Sequence, residues 1–413
     1  MVIFFIPLLL IIVKKFKLVT LLGIRPDIIR MFKLIKLLDD NQEKYGYEHI
    51  FAHTGQHFDH ELDGVFYEQL GVRKPDVNFN VGKILKEGGG ATTFEHQLGL
   101  SLKKLTEFIE TEKPDAIMYL GDTNSVLSSI VVARNNVPVI HLEAGGRSFD
   151  WRMPEEKCRI VIDHMSDALY SYMPRYKDML LAEGVADFRI KVIGNIIYDA
   201  VEQFLPIADK SLILEECKLK PQDYVLVTLH REENTSDLEK LKEKTKGLIA
   251  LAKEEKIIWP LMPRVKNNLE KIGLLQEIEG AGIIVTKPLG YFEFLKLQKE
   301  AKLIISDSGT VQEEALILGV PALISRLATE RPETIEAGAT ILANDNLYEN
   351  AKKAMALNKN WDKTVLNPEG GSPSQRVFDD LMEKIQSGFF KKSRQFEAIK
   401  DNKFVREAYN KKS

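Results

Sequence analysis

Short runs of apolar residues recur along this chain, and each is followed by a turn and a segment in which apolar residues return every three or four positions. Uninterrupted apolar runs are typical of parallel strands buried on both faces, and the wider spacing is typical of amphipathic helices. The alternation predicts an α/β protein built from doubly wound parallel sheets. The predicted strands are 16–22, 50–53, 116–120, 139–140, 168–171 and 190–193, and then 224–228, 257–261, 283–286, 303–306 and 322–324.

Segments with helical spacing separate most of these strands. The predicted helices are 28–38, 59–70, 94–112, 154–165, one that ends near 183, 237–254, 291–299 and 310–318. Residues 71–93 are irregular and rich in glycine from Gly88 to Gly90, so no element is predicted there. A loop and a closing helix are expected over 367–387, and a polar, basic tail from Phe389 onward.

The length of 413 residues exceeds what one hydrophobic core ordinarily serves. We predict an apolar extension over 1–15, a Rossmann-like domain over 16–195, a second Rossmann-like domain over 196–375, and a closing helix with a polar tail over 376–413. The two domains share no evident sequence repeat. Two such domains leave a deep cleft between them, which is the usual place for a ligand.

The first residues form an apolar run, 2–13, that contains Pro7 and is followed by Lys14 and Lys15. This run is too short to cross a bilayer, which takes about 20 residues. No basic residue precedes it and no small-residue cleavage site follows it, which disfavours a secretory signal. We expect an extension that packs on a surface or is disordered, in a cytoplasmic protein; peripheral membrane attachment is the alternative.

The overall composition excludes several classes of function. Apolar residues make up 44% and charged residues 28%, with a net charge of −3, so there is no basic field for a nucleic acid. The two cysteines, Cys158 and Cys217, are too few for a disulfide framework or a metal cluster and are expected to be ordinary thiols. The chain also lacks both the GxGxxG and the P-loop fingerprints of nucleotide binding.

Carboxylates follow two of the predicted strands of the first domain. Asp122 comes after the strand 116–120. Glu143 comes after the strand that starts at Val139, and the glycines 145 and 146 follow this glutamate. Ligands of open α/β sheets bind beyond the carboxyl ends of the strands, so both acids are expected at one crevice. Glu155 lies next to Pro154 at the start of the following helix. The alternative is a polar loop with a helix cap.

Cationic side chains and helix N-termini at other strand ends are suited to an anion. Arg147 and Arg152 lie beside the carboxylates and could hold one. Further candidates lie at the starts of helices or after strands: Arg25 and Arg30, His230 beside Arg231, Ser308 and Gly309 with Glu314 one turn into the helix, and Arg331. Glu314 could take the hydroxyls of a ribose, and Phe294 could stack on a base or belong to the core. Ordinary capping turns are the alternative for these loops.

These stretches, taken together, resemble the non-hydrolysing UDP-N-acetylglucosamine 2-epimerases over residues 16–375. The matching pieces are GIRPDIIRM (23–31), TGQH (54–57), GDTN (121–124), HLEAGGRS (141–148), PEE (154–156), HREEN (230–234), SDSGTVQEEA (306–315) and TERPE (329–333). The resemblance implies two Rossmann-like domains in a GT-B arrangement with an interdomain cleft. It also implies reversible inversion at C2 of a UDP-linked N-acetylhexosamine, for synthesis of cell-surface polysaccharide precursors.

In the mechanism that the resemblance implies, UDP is eliminated, an unsaturated glycal stays bound, and UDP adds back after reprotonation of the opposite face. No metal and no other cofactor is implied, and the partner is a UDP-sugar in a homodimeric protein. The implied catalytic residues are Asp122, Glu143, Glu155 and His230. The implied UDP contacts are Arg25, Arg30, His230, Phe294, Ser308, Gly309, Glu314 and Arg331.

The sequence departs from the commonest family pattern at several positions. Ile24 replaces a small hydroxyl residue, Asp27 a glutamate and Arg30 a lysine, which keeps the charges. Asp59 and residues 86–90 differ from the substrate-regulated bacterial enzymes, which casts doubt on activation by a second substrate molecule. Residues 121–128 and 147–167 resemble a branch acting on a 6-deoxy sugar. The substrate is therefore open between UDP-GlcNAc and a UDP-6-deoxy-talosamine derivative on the route to UDP-N-acetyl-L-fucosamine.

Two other functions remain open at this point. A GT-B glycosyltransferase would share the fold and the UDP site but would need an acceptor. A catalytically silent UDP-sugar-binding or membrane-scaffolding protein is the second, although the acids at 122, 143 and 155 argue against it.

Overall fold

The structure is a computed structural model that describes residues 14–55, 63–88 and 93–392. Several sequence predictions lie outside the described residues: the apolar run 2–13, the start of the helix predicted from Asp59, the end of the TGQH motif, Gly89 and Gly90, and the tail after 392. Among the described residues, no helix has both the length and the apolar character needed to cross a membrane.

The first half of the chain forms a seven-stranded parallel sheet, with strand order β3-β2-β1-β4-β5-β6-β7. The winding reverses between β1 and β4, so a crevice is expected beyond the carboxyl ends of these strands. The strands are β1 Phe16–Leu22, β2 Tyr47–His53, β3 Val77–Asn78, β4 Ala116–Leu120, β5 Val139–Leu142, β6 Ala168–Ser171 and β7 Ile190–Val192.

Helices cover both faces of this sheet and lead to the second domain. They are α1 Arg25–Asp40, α2 Gln42–Tyr45, α3 Asp63–Leu70, α4 Val81–Glu87, α5 Phe94–Glu112, α6 Ser129–Arg134, α7 Pro154–Met165, α8 Pro174–Ala182, α9 Ile197–Ala208 and α10 Ile213–Glu216, with short 3₁₀ segments at Asn124–Ser128 and Asp187–Arg189.

The second half repeats this architecture with a six-stranded parallel sheet, in the order β10-β9-β8-β11-β12-β13. Its strands are β8 Tyr224–Thr228, β9 Lys256–Pro260, β10 Ile284–Thr286, β11 Leu303–Ser306, β12 Ala322–Ile324 and β13 Thr340–Leu342. Its helices are α11 Glu232–Thr235, α12 Leu238–Leu251, α13 Pro263–Lys271, α14 Leu275–Gly280, α15 Tyr291–Glu300, α16 Gly309–Leu318, α17 Pro332–Glu336, α18 Leu347–Met355, α19 Pro373–Gln386 and α20 Phe389–Lys392.

Helix α1 illustrates how local sequence fixes an element. Pro26 lies in its first turn, where a missing N–H costs nothing. The carboxylate of Asp27 accepts hydrogen bonds from the backbone N–H groups of Gly23 and Ile24, at 3.3 and 3.2 Å, and so caps the turn. Residues spaced three or four apart, such as Met31 and Leu34, are fully buried against the sheet.

The closing helix α19 packs on the first domain although it follows the second along the chain. Val377, Phe378, Leu381 and Met382 belong to the same buried apolar cluster as Leu18 of β1. The first domain therefore completes its core with residues from the far end of the sequence.

The predicted fold class, two Rossmann-like parallel sheets in a GT-B arrangement, is confirmed. Eight elements match their predicted bounds: 16–22, 94–112, 116–120, 154–165, 168–171, 224–228, 303–306 and 322–324. For most other predicted elements, the observed bounds differ from the predicted ones by a few residues.

The absence of any element over 71–93 was a wrong prediction, because β3 and α4 lie there. Strand β3 has only two residues, and α4 buries only Val81 and Gly82, so neither leaves a periodic apolar pattern. The same cause explains why β13, with three residues, went unpredicted.

Candidate active site

The carboxyl ends of the two sheets face one another, and ion pairs join them. Arg331 of the second domain lies 2.6 Å from Glu143 of the first, measured from Nη2 to Oε1. Arg231 lies 3.6 Å from Glu155. Glu143 and Glu155 thus direct their carboxylates towards the second domain, and Asp122 is close enough to Arg331 and Arg231 of that domain to feel their charges.

Glu143 has a backbone conformation that non-glycine residues rarely adopt, with φ of +73° directly after β5. Two residues later, Gly145 has φ of +85°, and a Cβ there would lie 2.3 Å from the carbonyl oxygen of Tyr176. The close approach of helix α8 therefore requires glycine and holds the loop in this shape. Backbone strain of this kind concentrates at functional sites.

The carboxylate of Glu143 is paired on both oxygens. Arg30 of α1 donates to Oε2, and Arg331 donates to Oε1. Arg30 also donates to the hydroxyl of Tyr172 at 3.0 Å. Two guanidinium groups from different domains therefore converge on one acid, which leaves Glu143 beside the cations best suited to a diphosphate.

Asp122 follows Gly121, which has φ of +70° and whose Cβ, if present, would lie 3.2 Å from Glu143 Oε2. The Glu143 carboxylate thus lies against the residue that precedes Asp122. Arg159 donates to Asp122 through Nη2. Burial alone raises the pKa of Asp122, but the guanidinium groups of Arg159, Arg331 and Arg231 together outweigh it, so the pKa lies below its usual range. Asp122 is therefore held as a carboxylate.

Arg159 is the main functional candidate that the sequence reasoning missed. It is buried on α7 and also pairs with Glu156 at 2.6 Å and with Glu330 of the second domain at 3.5 Å. The spacing of three residues between Glu156 and Arg159 was a signal, since such pairs meet on one helix face. Glu330, by contrast, reaches the site only through the meeting of the two domains.

Glu155 is the most accessible of the three acids, with 35% of its side chain exposed in the first turn of α7. The next residue, Glu156, points inward instead. Its carboxylate accepts hydrogen bonds from the backbone N–H groups of Ser148 and Phe149, both at 3.0 Å. The two adjacent glutamates therefore differ: one faces the cleft, and the other fixes the loop that follows Glu143.

His230 extends from the end of β8, with 44% of its side chain exposed. The buried Asp307 anchors its loop by accepting hydrogen bonds from the backbone N–H groups of His230 and Arg231, at 3.0 to 3.1 Å, and from Asn234 Nδ2 at 3.0 Å. The imidazole Nδ1 lies 3.3 Å from Asp307. The histidine is therefore accessible while its backbone is fixed.

The N-terminus of α16 provides an anion site in the second domain. Ser308 is its N-cap residue, and a Cβ on Gly309 would lie 2.6 Å from Arg331 Nη1. Only glycine lets the arginine lie across the start of the helix. Arg331 also pairs with Glu313 and Glu330. Backbone N–H groups and a guanidinium thus meet at one point, as a phosphate requires.

The remaining residues that were predicted to contact UDP differ in their surroundings. Glu314 accepts hydrogen bonds from Tyr291 at 3.0 Å and Gln298 at 2.7 Å, and burial raises its pKa to about 7. Phe294 is half-buried beside the apolar core of the second domain. Arg25 is half-buried at the start of α1.

The suggestion that Arg147 and Arg152 could hold an anion does not fit the structure. Arg147 is buried and paired with Asp163 and Glu183, each at 2.7 Å. Arg152 pairs with Asp150 on the surface. The partners of Arg147 lie 16 and 36 residues further along the chain, and the partner of Arg152 lies two residues before it. The sequence pattern indicates neither pairing.

Comparison with known proteins adds evidence of ancestry. The family model described as UDP-N-acetylglucosamine 2-epimerase matches residues 39–377. The UDP-N-acetylglucosamine 2-epimerase of Methanocaldococcus jannaschii is 38% identical over 87% of this chain and 97% of its own length. The UDP-2,3-diacetamido-2,3-dideoxy-D-glucuronate 2-epimerase of Pseudomonas aeruginosa is 33% identical over 88% of this chain and 99% of its own.

Solved structures agree with this result. The crystal structure of the Methanocaldococcus jannaschii UDP-GlcNAc 2-epimerase, in complex with UDP-GlcNAc and UDP, superposes with a TM-score of 0.80 at 36% identity. The match covers 89% of this chain and 99% of that one. The chain therefore belongs to the UDP-N-acetylglucosamine 2-epimerase family.

Proposed function

We propose that this protein epimerises UDP-GlcNAc at C2, giving UDP-ManNAc, without hydrolysing the sugar–UDP bond. The relatives named for this activity, at 36–38% identity, support the choice of substrate. A 6-deoxy analogue and the diacetamido uronate of the Pseudomonas relative are the competing substrates.

The observation that carries the proposal is the convergence of Arg30 and Arg331 on Glu143. A diphosphate needs cations, and removal of the neighbouring C2 proton needs a carboxylate. The two requirements meet here within hydrogen-bond distance.

The reaction runs by elimination and re-addition. The C2 proton leaves to a carboxylate while the C1–O bond to UDP breaks, which gives a C1–C2 double bond and free UDP in the site. A second acid–base group, in exchange with solvent, then delivers a proton to the opposite face of C2, and a UDP oxygen reforms the C1–O bond. Removal and return from opposite faces need two acid–base groups, for which Asp122, Glu143 and Glu155 are the candidates.

The leaving diphosphate is stabilised by cations and by a proton donor. We assign Arg25, Arg30 and Arg331, with the α16 N-terminus at Ser308 and Gly309, to the diphosphate. His230, accessible at the cleft, donates a proton to the departing oxygen. Glu314 is assigned to the ribose and Phe294 to the uracil.

The test is incubation of the purified protein with UDP-GlcNAc alone in heavy water, followed by NMR of the sugar. We expect UDP-ManNAc with deuterium at C2, in the absence of any acceptor. Isomer without C2 label would exclude elimination. Transfer of the sugar only when an acceptor is added would favour a glycosyltransferase instead.

A panel of UDP-hexosamines sharpens the substrate assignment. We expect the largest kcat/KM for UDP-GlcNAc. A larger value for a 6-deoxy or uronate analogue would move the assignment to that sugar while leaving the reaction type intact. Size-exclusion chromatography with light scattering tests the homodimer that we also propose.

A further inference from the structure

A buried histidine lies beneath the two strand ends that carry Asp122 and Glu143. His141 of β5 is fully buried, with Nδ1 2.7 Å from Asp163 Oδ1 and Nε2 2.8 Å from the carbonyl oxygen of Gly121. A carbonyl oxygen can only accept a hydrogen bond, so Nε2 must carry a hydrogen.

The other ring nitrogen faces a carboxylate that is ionised. The Arg147 guanidinium lies 2.7 Å from Asp163 Oδ2, and a charged group this close favours the ionised carboxylate. The second oxygen of Asp163 accepts from the backbone N–H of Gly145 at 3.1 Å. An ionised carboxylate only accepts, so Nδ1 of His141 donates as well, and the ring is positively charged.

The charges around this ring balance. His141 and Arg147 supply two positive charges, and Asp163 and Glu183 supply two negative ones, with Arg147 bridging the two acids. His164, partly exposed, is the other titratable group of the cluster, at 3.3 Å from Glu183. A buried charge is tolerated when it is paired and fully hydrogen-bonded, and both conditions hold here.

A second buried histidine in the same sheet provides the contrast. His49 of β2 faces Asp39 at 2.6 Å through Nδ1, but its Nε2 lies 2.9 Å from the hydroxyl of Thr20. A hydroxyl can donate, so a neutral ring satisfies both contacts. Burial lowers the pKa of His49, in spite of Asp39, which favours the neutral form. The two histidines are similarly buried and each faces an aspartate, yet His141 is inferred to be positively charged and His49 neutral.

We propose that His141, which donates a hydrogen bond from each ring nitrogen, is a positioning residue that sets the spacing of Asp122 and Glu143. It binds the carbonyl of Gly121, the residue before Asp122, and through Asp163 it holds the N–H of Gly145, two residues after Glu143. Gly121 also lies directly against the Glu143 carboxylate. The effect on turnover rests on the proposed function, whereas the charge of the ring does not.

The first experiment measures that charge by ¹⁵N NMR of the histidine-labelled full chain, with resonances assigned from His141→Gln and His49→Gln. We expect both His141 nitrogens to carry a hydrogen in the folded protein, and one of the two His49 nitrogens to carry none. An unprotonated nitrogen in His141 would overturn the proposal, whatever the activity of the protein.

The second experiment separates positioning from folding. Asp163→Asn keeps the size of the side chain but removes the charge that supports the imidazolium, so we expect His141 to lose a ring proton. For both Asp163→Asn and His141→Gln, we expect kcat to fall about 100-fold, the cost of a displacement of about 1 Å. UDP affinity should stay near that of the wild type, because neither residue contacts the arginines assigned to the diphosphate.

His49→Gln is the matched control and should keep its kcat. A wild-type kcat in Asp163→Asn, or a loss of UDP affinity as large as the loss of kcat, would overturn the positioning role. If the wild-type protein proves inactive on every UDP-sugar while both His141 nitrogens are protonated, the proposed function fails and the charged histidine stands.

Discussion

The two strand edges that meet at the cleft differ in chemistry and in exposure. The edge of the first domain carries acids that are largely shielded, with 12% of the Glu143 side chain and 24% of the Asp122 side chain exposed, and each is paired with arginine. The edge of the second domain carries His230, which is 44% exposed, and a helix N-terminus. In the proposed reaction, the first edge supplies the carboxylates that act at C2, and the second edge supplies most of the groups that stabilise the leaving diphosphate.

This difference teaches that binding and chemistry should be separable by mutation. Removing an acid from the first edge should abolish turnover and leave UDP bound. Removing a cation from the second edge should weaken UDP binding as well.

The largest effect is expected for Glu143→Gln. Loss of an acid–base group costs up to about 10,000-fold in turnover. UDP should bind at least as tightly as to the wild type, because Arg30 and Arg331 no longer share their donors with a carboxylate. The NMR assay measures turnover, and calorimetry measures the Kd of UDP.

Asp223→Asn is the matched control for this substitution, since Asp223 pairs with Lys256 on the surface of the second domain. Near-normal turnover of Glu143→Gln would refute the assignment of Glu143. A loss of UDP binding comparable to the loss of turnover would refute the division between the two edges.

A smaller effect, on binding as well as turnover, is expected for Arg331→Lys. The charge is kept, but the planar fork that reaches Glu143 and the start of α16 is lost. UDP affinity should fall about 10-fold, which corresponds to about 1.4 kcal/mol. Arg175→Lys, on an exposed ion pair with Glu336, is the control and should bind UDP normally. Unchanged affinity in Arg331→Lys would place the diphosphate elsewhere.

The substitution Arg159→Met tests what holds Asp122 ionised. Without this guanidinium, one of the charges that oppose the effect of burial is lost, and the pKa of Asp122 should rise. If ionised Asp122 is needed, the acid limb of the kcat/KM profile should move to higher pH, with the loss of rate growing as the pH falls. Arg159→Lys, which keeps a cation, should shift less. An identical profile in both variants would contradict this role.

The smallest effect concerns stability rather than turnover. Burial raises the pKa of Glu333 to about 7, from an unfolded value of 4.5. Because the folded state holds this proton more tightly, the free energy of unfolding should fall as the pH rises from about 5 to about 8, by about 3 kcal/mol from this group alone. Glu333→Gln should flatten the dependence, as measured by urea unfolding at several pH values.

Glu336→Gln, at an exposed carboxylate on the same helix, is the control and should leave the slope unchanged. Burial also raises the pKa values of Asp27 and Glu314 to about 7. These two groups should therefore account for the pH dependence of the free energy of unfolding that remains in Glu333→Gln. If the free energy of unfolding of the wild type rose with pH over this range, these buried carboxyl groups could not be neutral in the folded state.

The fold could be predicted from the sequence wherever an element was long enough to show a period. The helix α5, with 19 residues, and the strand β4, with five, were predicted at their observed bounds. The two-residue β3 was not, since so short an element leaves no periodic trace and depends on β2 beside it. Such short strands form because of their tertiary contacts, and these contacts cannot be inferred from the apolar pattern of the sequence.

The candidate site divides in the same way. Asp122 and Glu143 could be located because a strand end and its following residues are local features. Glu330 could not, because its partner Arg159 belongs to the other domain. The suggested anion-binding role of Arg147 does not fit the structure for a related reason: its partners Asp163 and Glu183, although in the same domain, lie 16 and 36 residues further along the chain.

The return of α19 onto the first domain has a consequence for biosynthesis. The ribosome makes the first domain early, yet Phe378 and Leu381, which complete its apolar core, emerge near the end of translation. The nascent first domain must therefore wait, with part of its interior uncovered, while the second domain is synthesised. Until α19 is made, that uncovered apolar face is where the nascent chain is most exposed to aggregation.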